Sequence, residues 1–324
     1  MSGPSDSYQR PIDYLRVSVT DRCNLRCVYC VPEDGIWCLP RKNVLSFEEI
    51  RVVVEVAAGM GITKVRLSGG EPLVRLGILI LAEMLAKVRG IEDLSLSTNG
   101  LLLSKYAIGL KEAGVKRVNV SLDTLRPERF KSISRRDGLE RVLEGLESAR
   151  QAGLEPVKVN MVVMRGVNED EIADFAQKSL HGWHVRFIEL MPFAAASSDI
   201  RFIGVPEIKE RLSKLGDLVP ASDIKGNGPA RYYRLKGARG TIGFISPITE
   251  HFCFGCNRLR LTADGKLRPC LLADDEIDVR SAIREGRYGD VERLLQEAVA
   301  RKPKQHLLCE GKLPEARSMT QIGG

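Results

Sequence analysis

From residue 14 to about 190 one pattern repeats along the chain. A short run rich in Val, Leu and Ile is followed by a polar or Gly-rich turn, and then by a stretch with apolar residues three and four apart. Residues 14–20 alternate apolar and polar positions and are Val-rich, which predicts a strand. Ser46 with Glu49 three residues on is a capping-box signature. Ile50, Val53, Val54 and Ala57 supply the apolar face behind it, and Gly59 and Gly61 close the helix. The same reading predicts strands at 64–67, 94–98, 117–122, 157–163 and 185–190, with helices at 77–89, 102–113, 139–152 and 169–179.

Strands alternating with helices mean βαβ units and a parallel sheet. Six strands in this stretch fit an open doubly wound sheet or a barrel that does not close. Polar motifs sit just after several strand ends, at Asp21-Arg22-Cys23, Ser68-Gly-Gly-Glu71, Thr98-Asn-Gly100, Ser121-Leu-Asp123 and Glu189-Leu-Met191. An open sheet gathers such groups at one switch point, whereas a barrel spreads them over many strand ends. The expected fold is therefore α/β, a partial (β/α)6 TIM-like barrel.

After residue 200 the rhythm changes. Residues 206–216 read as a helix, 225–229 as a loop, and 231–236 and 241–245 as short strands. Residues 259–262 and 266–271 flank Ala263-Asp264-Gly265, a hairpin signal. The expectation is two parts, a barrel over 1–200 and a smaller α+β region over 201–324.

Composition narrows the class. The 324 residues are 44% hydrophobic, enough for a sizeable core. The longest apolar stretch, residues 76–82, is too short to span a bilayer, and the first ten residues lack the apolar segment of a secretion signal. A soluble, cytoplasmic protein is expected. The net charge of +7 admits an anionic partner. Aromatics are only 6% and no long basic run occurs, so a nucleic-acid stacking surface is weakly supported and a phosphorylated small molecule is preferred.

The cysteines change the picture most. Without a secretion signal, clustered cysteines read as metal ligands rather than disulfides. Six of the eight form two groups of three, and Cys38 and Cys309 are left over, with burial the expected account of each. Cys23-x3-Cys27-x2-Cys30 places three thiolates on one loop after a strand. Three ligands leave one iron of a [4Fe–4S] cluster open, while structural zinc takes four. Cys38 as a fourth ligand is disfavoured by the gap through Pro32 and Pro40. Cys253-x2-Cys256-x13-Cys270 again supplies three, the hairpin returning Cys270 towards the pair. His251 as a fourth ligand would make a zinc site instead. Arg258 and Arg260, two apart on a strand, share a face beside this triad. They could receive a polyanion or a carbonyl-rich base, or be solvated.

Cys-x3-Cys-x2-Cys with Tyr29 directly before the third cysteine resembles the radical S-adenosylmethionine superfamily. Ser68-Gly-Gly-Glu-Pro72, some 40 residues on, resembles its glycine-rich segment. Beyond these motifs, the chain is similar throughout to the molybdenum-cofactor biosynthesis protein A family, the GTP cyclases. Leu15-Arg-Val-Ser-Val-Thr-Asp-Arg-Cys-Asn24, Val65-Arg-Leu-Ser-Gly-Gly-Glu-Pro72, Phe187-Ile-Glu-Leu-Met-Pro192 and the tail Met319-Thr-Gln-Ile-Gly-Gly324 carry the likeness. The resemblance implies two [4Fe–4S] clusters and S-adenosylmethionine as cofactors, with GTP as substrate. It implies a reaction in which a 5′-deoxyadenosyl radical takes the C3′ hydrogen of GTP and the ribose radical closes onto C8, giving 3′,8-cyclo-7,8-dihydro-GTP. It places Cys23, Cys27 and Cys30 on the first cluster and Cys253, Cys256 and Cys270 on the second, whose open iron takes the guanine end. It assigns Tyr29, Gly70, Ser121 and Met191 to S-adenosylmethionine. Arg16, Arg66, Lys158, Arg258, Leu259 and Arg260 go to GTP, and Gly323 and Gly324 to a tail inside the site. Lys158 would otherwise be a barrel-interior ion pair, and Met191 core packing. The family's Thr-Thr-Asn-Gly run reads Ser97-Thr98-Asn99-Gly100, and Ser97 keeps the hydroxyl for GTP. A homodimer, a reductant protein and a downstream cyclic pyranopterin monophosphate synthase are the implied partners, with no nucleic acid and no membrane. A radical enzyme acting on a peptide or RNA, or a non-catalytic zinc protein, are the competing readings.

Overall fold

The structure is a computed structural model that describes residues 3–32, 35, 38–193, 201–224, 228–308, 314 and 317–323. Six strands follow one another in chain order: β1 (Tyr14–Ser18), β2 (Lys64–Ser68), β3 (Asp93–Thr98), β4 (Arg117–Ser121), β5 (Lys158–Arg165) and β6 (His184–Glu189). Each pairs in parallel with the next. The crossovers carry helices α1 (Phe47–Gly59), α2 (Ile78–Ala86), α3 (Leu103–Glu112), α4 (Pro127–Ser134), α5 (Leu139–Gln151) and α6 (Ile172–Lys178). The Ser46–Glu49 box is formed in both directions, Glu49 N donating to Ser46 Oγ and Ser46 N to the Glu49 carboxylate. Such a box contributes about 1 kcal/mol to helix α1. Helix α4 escaped the sequence reading, because only Phe130, Ile133 and Ser134 of its eight residues face inward and Pro127 reads as a breaker.

Beyond residue 200 come β7 (Arg201–Phe202), α7 (Val205–Ser213), β8 (Leu218–Pro220), β9 (Arg231–Leu235), β10 (Thr241–Ile245), β11 (Arg258–Leu261), β12 (Lys266–Arg268) and β13 (Ile277–Asp278). They are followed by α8 (Arg280–Arg284), α9 (Tyr288–Ala300) and α10 (Met319–Ile322). The expected hairpin is present as β11 and β12, with Gly265 at φ 78° in its turn. These strands join the barrel sheet. β10 adds in parallel to β6, and β11 in parallel to β1. Eight consecutive parallel strands result, β11-β1-β2-β3-β4-β5-β6-β10, with short antiparallel strands outside them and no closure.

The strands alternate with a period of two, and the apolar set points outwards. Leu15 and Val17, Val65 and Leu67, Leu94 and Leu96, Val118 and Val120, Val159 and Met161, and Val185 and Phe187 are buried in the main core. The opposite set faces the barrel interior and is polar: Arg16, Arg66, Ser97, Asn119, Asn160 and Arg186 all line one cavity. Burial of the outward set at about 25 cal/mol per Å² holds the helices to the sheet, and the interior is left for polar chemistry.

Candidate active site

The interior cavity encloses about 1500 Å³, counting its open mouth. Cys23, Cys27 and Cys30 lie in its wall on the loop after β1. That loop is locked by the turn after β2: Gly70 N donates to Thr20 O at 2.7 Å, and Glu71 N to Arg22 O at 2.8 Å. A Cβ on Gly69 would meet Thr20 O at 2.4 Å, and one on Gly70 would meet Arg22 O at 2.4 Å. The double glycine is therefore required by backbone meeting backbone, whatever else binds there. Glu71 points back under the loop and accepts from Leu73 N, Thr98 Oγ1 and Asn99 N.

Burial pushes the Cys23 thiol up to about 11 and the Cys30 thiol to about 12, and lifts Cys27 well above the usual thiol range. Neighbouring acids add to this. Asp123 accepts from Tyr29 Oη at 2.8 Å and from Val162 N at 2.8 Å, and burial raises its carboxyl to about 6. Burial likewise raises Glu71 to about 7. Three half-buried thiols beside the buried carboxyls of Asp123 and Glu71 suit a cationic ligand such as iron. The second triad shows the opposite setting. Burial alone would raise the Cys256 thiol, but the Arg258 guanidinium and the Lys302 ammonium outweigh it and bring it to about 6. Cys253, Cys256 and Cys270 line a smaller cavity that shares Met191, Pro247, Phe252, Arg258, Arg260 and Leu271 with the first.

All six triad cysteines are free thiols. Among the described residues no three His, Cys, Asp or Glu side chains converge tightly enough to hold a single ion. Each cavity carries an all-thiol set of three donors, the ligand type of an iron–sulfur cluster. His251 is outside the second cavity. His306 is in its wall, and its Nε2 lies 2.7 Å from Pro247 O, so that nitrogen carries the proton. Cys38 is exposed, not buried as expected, and Leu39 to Lys42 beyond it are exposed or half-buried, so no core is there to take its side chain. Cys309 and Gly324 lie outside the described residues.

Tyr29, Gly70, Ser121 and Met191 line the first cavity, as do Arg16, Arg66, Ser97, Arg258 and Arg260. Two expected residues do not. Leu259 has the opposite parity to Arg258 and Arg260 and is fully buried in the outward core. Lys158 is 2% exposed and shares the inward parity of Asn160 without lining the cavity, its Nζ 5.0 Å from the Tyr232 ring. Burial and then Arg186, Arg117 and Arg66 push its ammonium down to about 6. Gly323 meets the wall directly: its carbonyl accepts from Arg260 Nη1 at 2.9 Å and from Ser68 Oγ at 3.4 Å. Arg186, Asn119 and Asn160 escaped the sequence reading. Arg186 Nε and Nη2 and both asparagine Oδ1 atoms are buried without a partner, facing the same cavity. The signal for them was the strand parity that places them beside Arg16 and Arg66.

The radical SAM superfamily profile matches residues 17–178, and the molybdenum cofactor synthesis C profile matches residues 183–308. GTP 3′,8-cyclases from Pelotomaculum thermopropionicum and Heliobacterium modesticaldum are 53% and 52% identical, each over 98% of this chain and 99% of theirs. The chain belongs to the GTP 3′,8-cyclase family. The Moorella thermoacetica GTP 3′,8-cyclase is 49% identical over the same shares. Among solved structures, Streptococcus suis SuiB bound to S-adenosylmethionine superposes with a TM-score of 0.58 at 14% identity, over 87% of this chain and 66% of SuiB. Native anSMEcpe with bound AdoMet superposes with a TM-score of 0.56 at 16% identity, over 90% and 81%. At these identities the likeness is one of fold, the radical SAM α/β barrel. The cofactors of this family are S-adenosylmethionine and iron–sulfur clusters. No helix among the described residues is long and apolar enough to cross a membrane.

Proposed function

We propose that the two cavities form one continuous active site in which this chain converts GTP to 3′,8-cyclo-7,8-dihydro-GTP, residues 1–200 holding the radical source and 201–324 the substrate. The observation that carries the reading is the shared wall of Met191, Arg258 and Arg260 between two cysteine triads. Full-length likeness to GTP 3′,8-cyclases favours it over a peptide- or RNA-modifying enzyme. Cys23, Cys27 and Cys30 would hold one cluster, and Cys253, Cys256 and Cys270 the other. When bound, the first cluster with S-adenosylmethionine supplies one-electron chemistry, and the second supplies an open iron for the guanine end.

The chain's own residues do the rest. Tyr29, held by Asp123, and Gly70, Ser121 and Met191 frame the S-adenosylmethionine end. Arg16, Arg66 and Arg186 face one interior cavity from β1, β2 and β6, so their guanidiniums suit the triphosphate. Lys158 would contribute charge from deeper in the barrel interior, and Ser97 a hydroxyl. Leu259 would act through its backbone alone. Arg258 and Arg260 stand between the triads and orient the nucleotide across the shared wall. Gly323, held by Arg260 and Ser68, would fix the tail against the cavity wall. Fixing C3′ beside the radical source by these contacts converts encounter into an intramolecular step.

Further parts of the reading are a homodimer, a cytoplasmic setting, a protein reductant, and a downstream cyclic pyranopterin monophosphate synthase. The test is anaerobic reconstitution followed by incubation with S-adenosylmethionine, reductant and GTP. About eight irons per chain and a cyclised nucleotide formed only with GTP are expected. Zinc without iron, or S-adenosylmethionine cleavage indifferent to GTP, would overturn it.

A further inference from the structure

Lys302 supplies no ligand, yet it is 3% exposed beside the second triad. Its Nζ donates to Arg258 O at 2.7 Å and to Pro269 O at 2.8 Å. Arg258 lies two residues after Cys256, and Pro269 directly precedes Cys270. One ammonium thus ties together the two arms of the hairpin that bear ligands. Its third donor faces the Cys256 sulfur. The chain that follows serves the remaining cysteine. Arg10, itself ion-paired to buried Asp6 at 2.6 Å, donates to Cys253 O at 2.6 Å, to Pro303 O at 2.7 Å and to Lys304 O at 3.0 Å. The His306 amide faces the Cys253 sulfur. Residues 302–306 therefore reach all three ligand-bearing positions without containing a cysteine.

We propose that residues 302–306 are the outer cradle of the second cluster and that Lys302 is its positioning and charge-compensating residue. The proposal rests on the reading that this triad holds a cluster. Three thiolates give a [4Fe–4S] assembly a net negative charge, which grows on reduction. A buried cation beside it stabilises the reduced form more than the oxidised one, and so raises the potential. It also lowers the cost of gathering three thiolates in a desolvated site.

The test uses the full chain with Cys23→Ala, Cys27→Ala and Cys30→Ala, so that only the second site takes up iron. After anaerobic reconstitution the parent is expected to retain about four irons. Lys302→Met is expected to weaken iron retention at least tenfold, the scale of other outer contacts to metal sites. Where four irons are held, it should instead lower the reduced-to-oxidised ratio at fixed potential tenfold, which is 59 mV for one electron. Lys302→Arg keeps the charge and should restore most of both. Equal iron and equal potential in the Met variant would overturn the proposal. Should the Met variant not fold, hydrogen exchange in the Lys302 parent decides. The amides of residues 302, 304, 305 and 306 should slow at least tenfold on cluster assembly, and no slowing overturns the cradle. A parent that takes up no iron removes the second cluster itself, and the cradle with it.

Discussion

Lys158 is the residue whose protonation should report substrate binding. Its ammonium is buried in a barrel interior that also holds Arg66, Arg117 and Arg186, with Asp93 the opposing charge named among its neighbours. Burial first, and those three guanidiniums next, bring it from 10.5 to about 6. Between pH 6 and 10.5 the folded, ligand-free chain thus binds one proton fewer here than the unfolded chain. This group's contribution destabilises the fold below 10.5, and stability rises with pH across the window. At one pKa unit per 1.36 kcal/mol, the penalty at pH 7 is about 5 kcal/mol. Lys158→Met keeps the length and removes the penalty, so the ligand-free variant should be more stable at pH 7, with a smaller rise towards pH 10.

A triphosphate of about four negative charges reverses the balance, because an anion beside a buried ammonium favours the charged form. GTP binding at pH 8 should therefore take up about one proton at Lys158, and affinity should fall by up to tenfold per pH unit above 6. Isothermal titration calorimetry of GTP into the reconstituted chain, without reductant, measures the proton count from two buffers of different ionisation enthalpy. Subtracting the Lys158→Met result removes titration of the nucleotide itself. Equal proton uptake by the two proteins would refute the reasoning, as would a ligand-free stability gap that does not shrink as pH rises.

Other residues give sharper local outcomes. Gly323→Ala places a Cβ at 2.8 Å from Ser18 Cβ and 2.9 Å from Ser68 Oγ, at φ 82°, so the tail should leave Arg260; turnover should fall at least tenfold, about 1.4 kcal/mol, with iron content unchanged. A bulky residue added after Gly324 should impair turnover in the same assay. Arg186→Met removes the two partnerless guanidinium nitrogens from the cavity, and should raise the Kd for GTP by about 10- to 100-fold in the calorimeter. Glu189 is fully buried, accepting from Val205 N, Ile248 N, Thr249 N and Thr249 Oγ1; Glu189→Ala should cost about 3 kcal/mol, read from the urea midpoint.

The sheet and its helices were legible because their signals are local. The Ser46–Glu49 box, the turn at Gly265 and the Val-rich strands carry their own geometry, and the predicted 241–245 strand is β10 residue for residue. What was not legible depends on distant partners. β10 and β11 read as parts of a separate region, yet they pair with β6 and β1, and no short-range pattern states which edge a strand will join. Lys302 carries no local signal, since its carbonyl partners lie more than thirty residues away. Arg186 was hidden for a simpler reason. Parity along β6 puts it on the polar face, but only the arrangement of the eight parallel strands around one cavity shows that this face looks inward rather than to water.

That inversion also explains why one cavity can serve two unlike ligands. The first triad sits against Asp123 and Glu71, whose carboxyls burial raises to about 6 and 7. A sulfonium and an ammonium arriving there would favour the charged form of both carboxyls, and would thereby be held. The second triad sits against Arg258, Arg260 and Lys302, and the interior beyond it against Arg16, Arg66 and Arg186. A polyanion is favoured there and repelled from the acidic end. S-adenosylmethionine carries the positive groups and GTP the negative ones, so exchanging their places would cost like-charge contacts at both ends in a low-dielectric cavity. The charge gradient along the cavity sorts the two ligands before any contact specific to either base, and Met191, between the triads and apolar, marks the junction where they would meet.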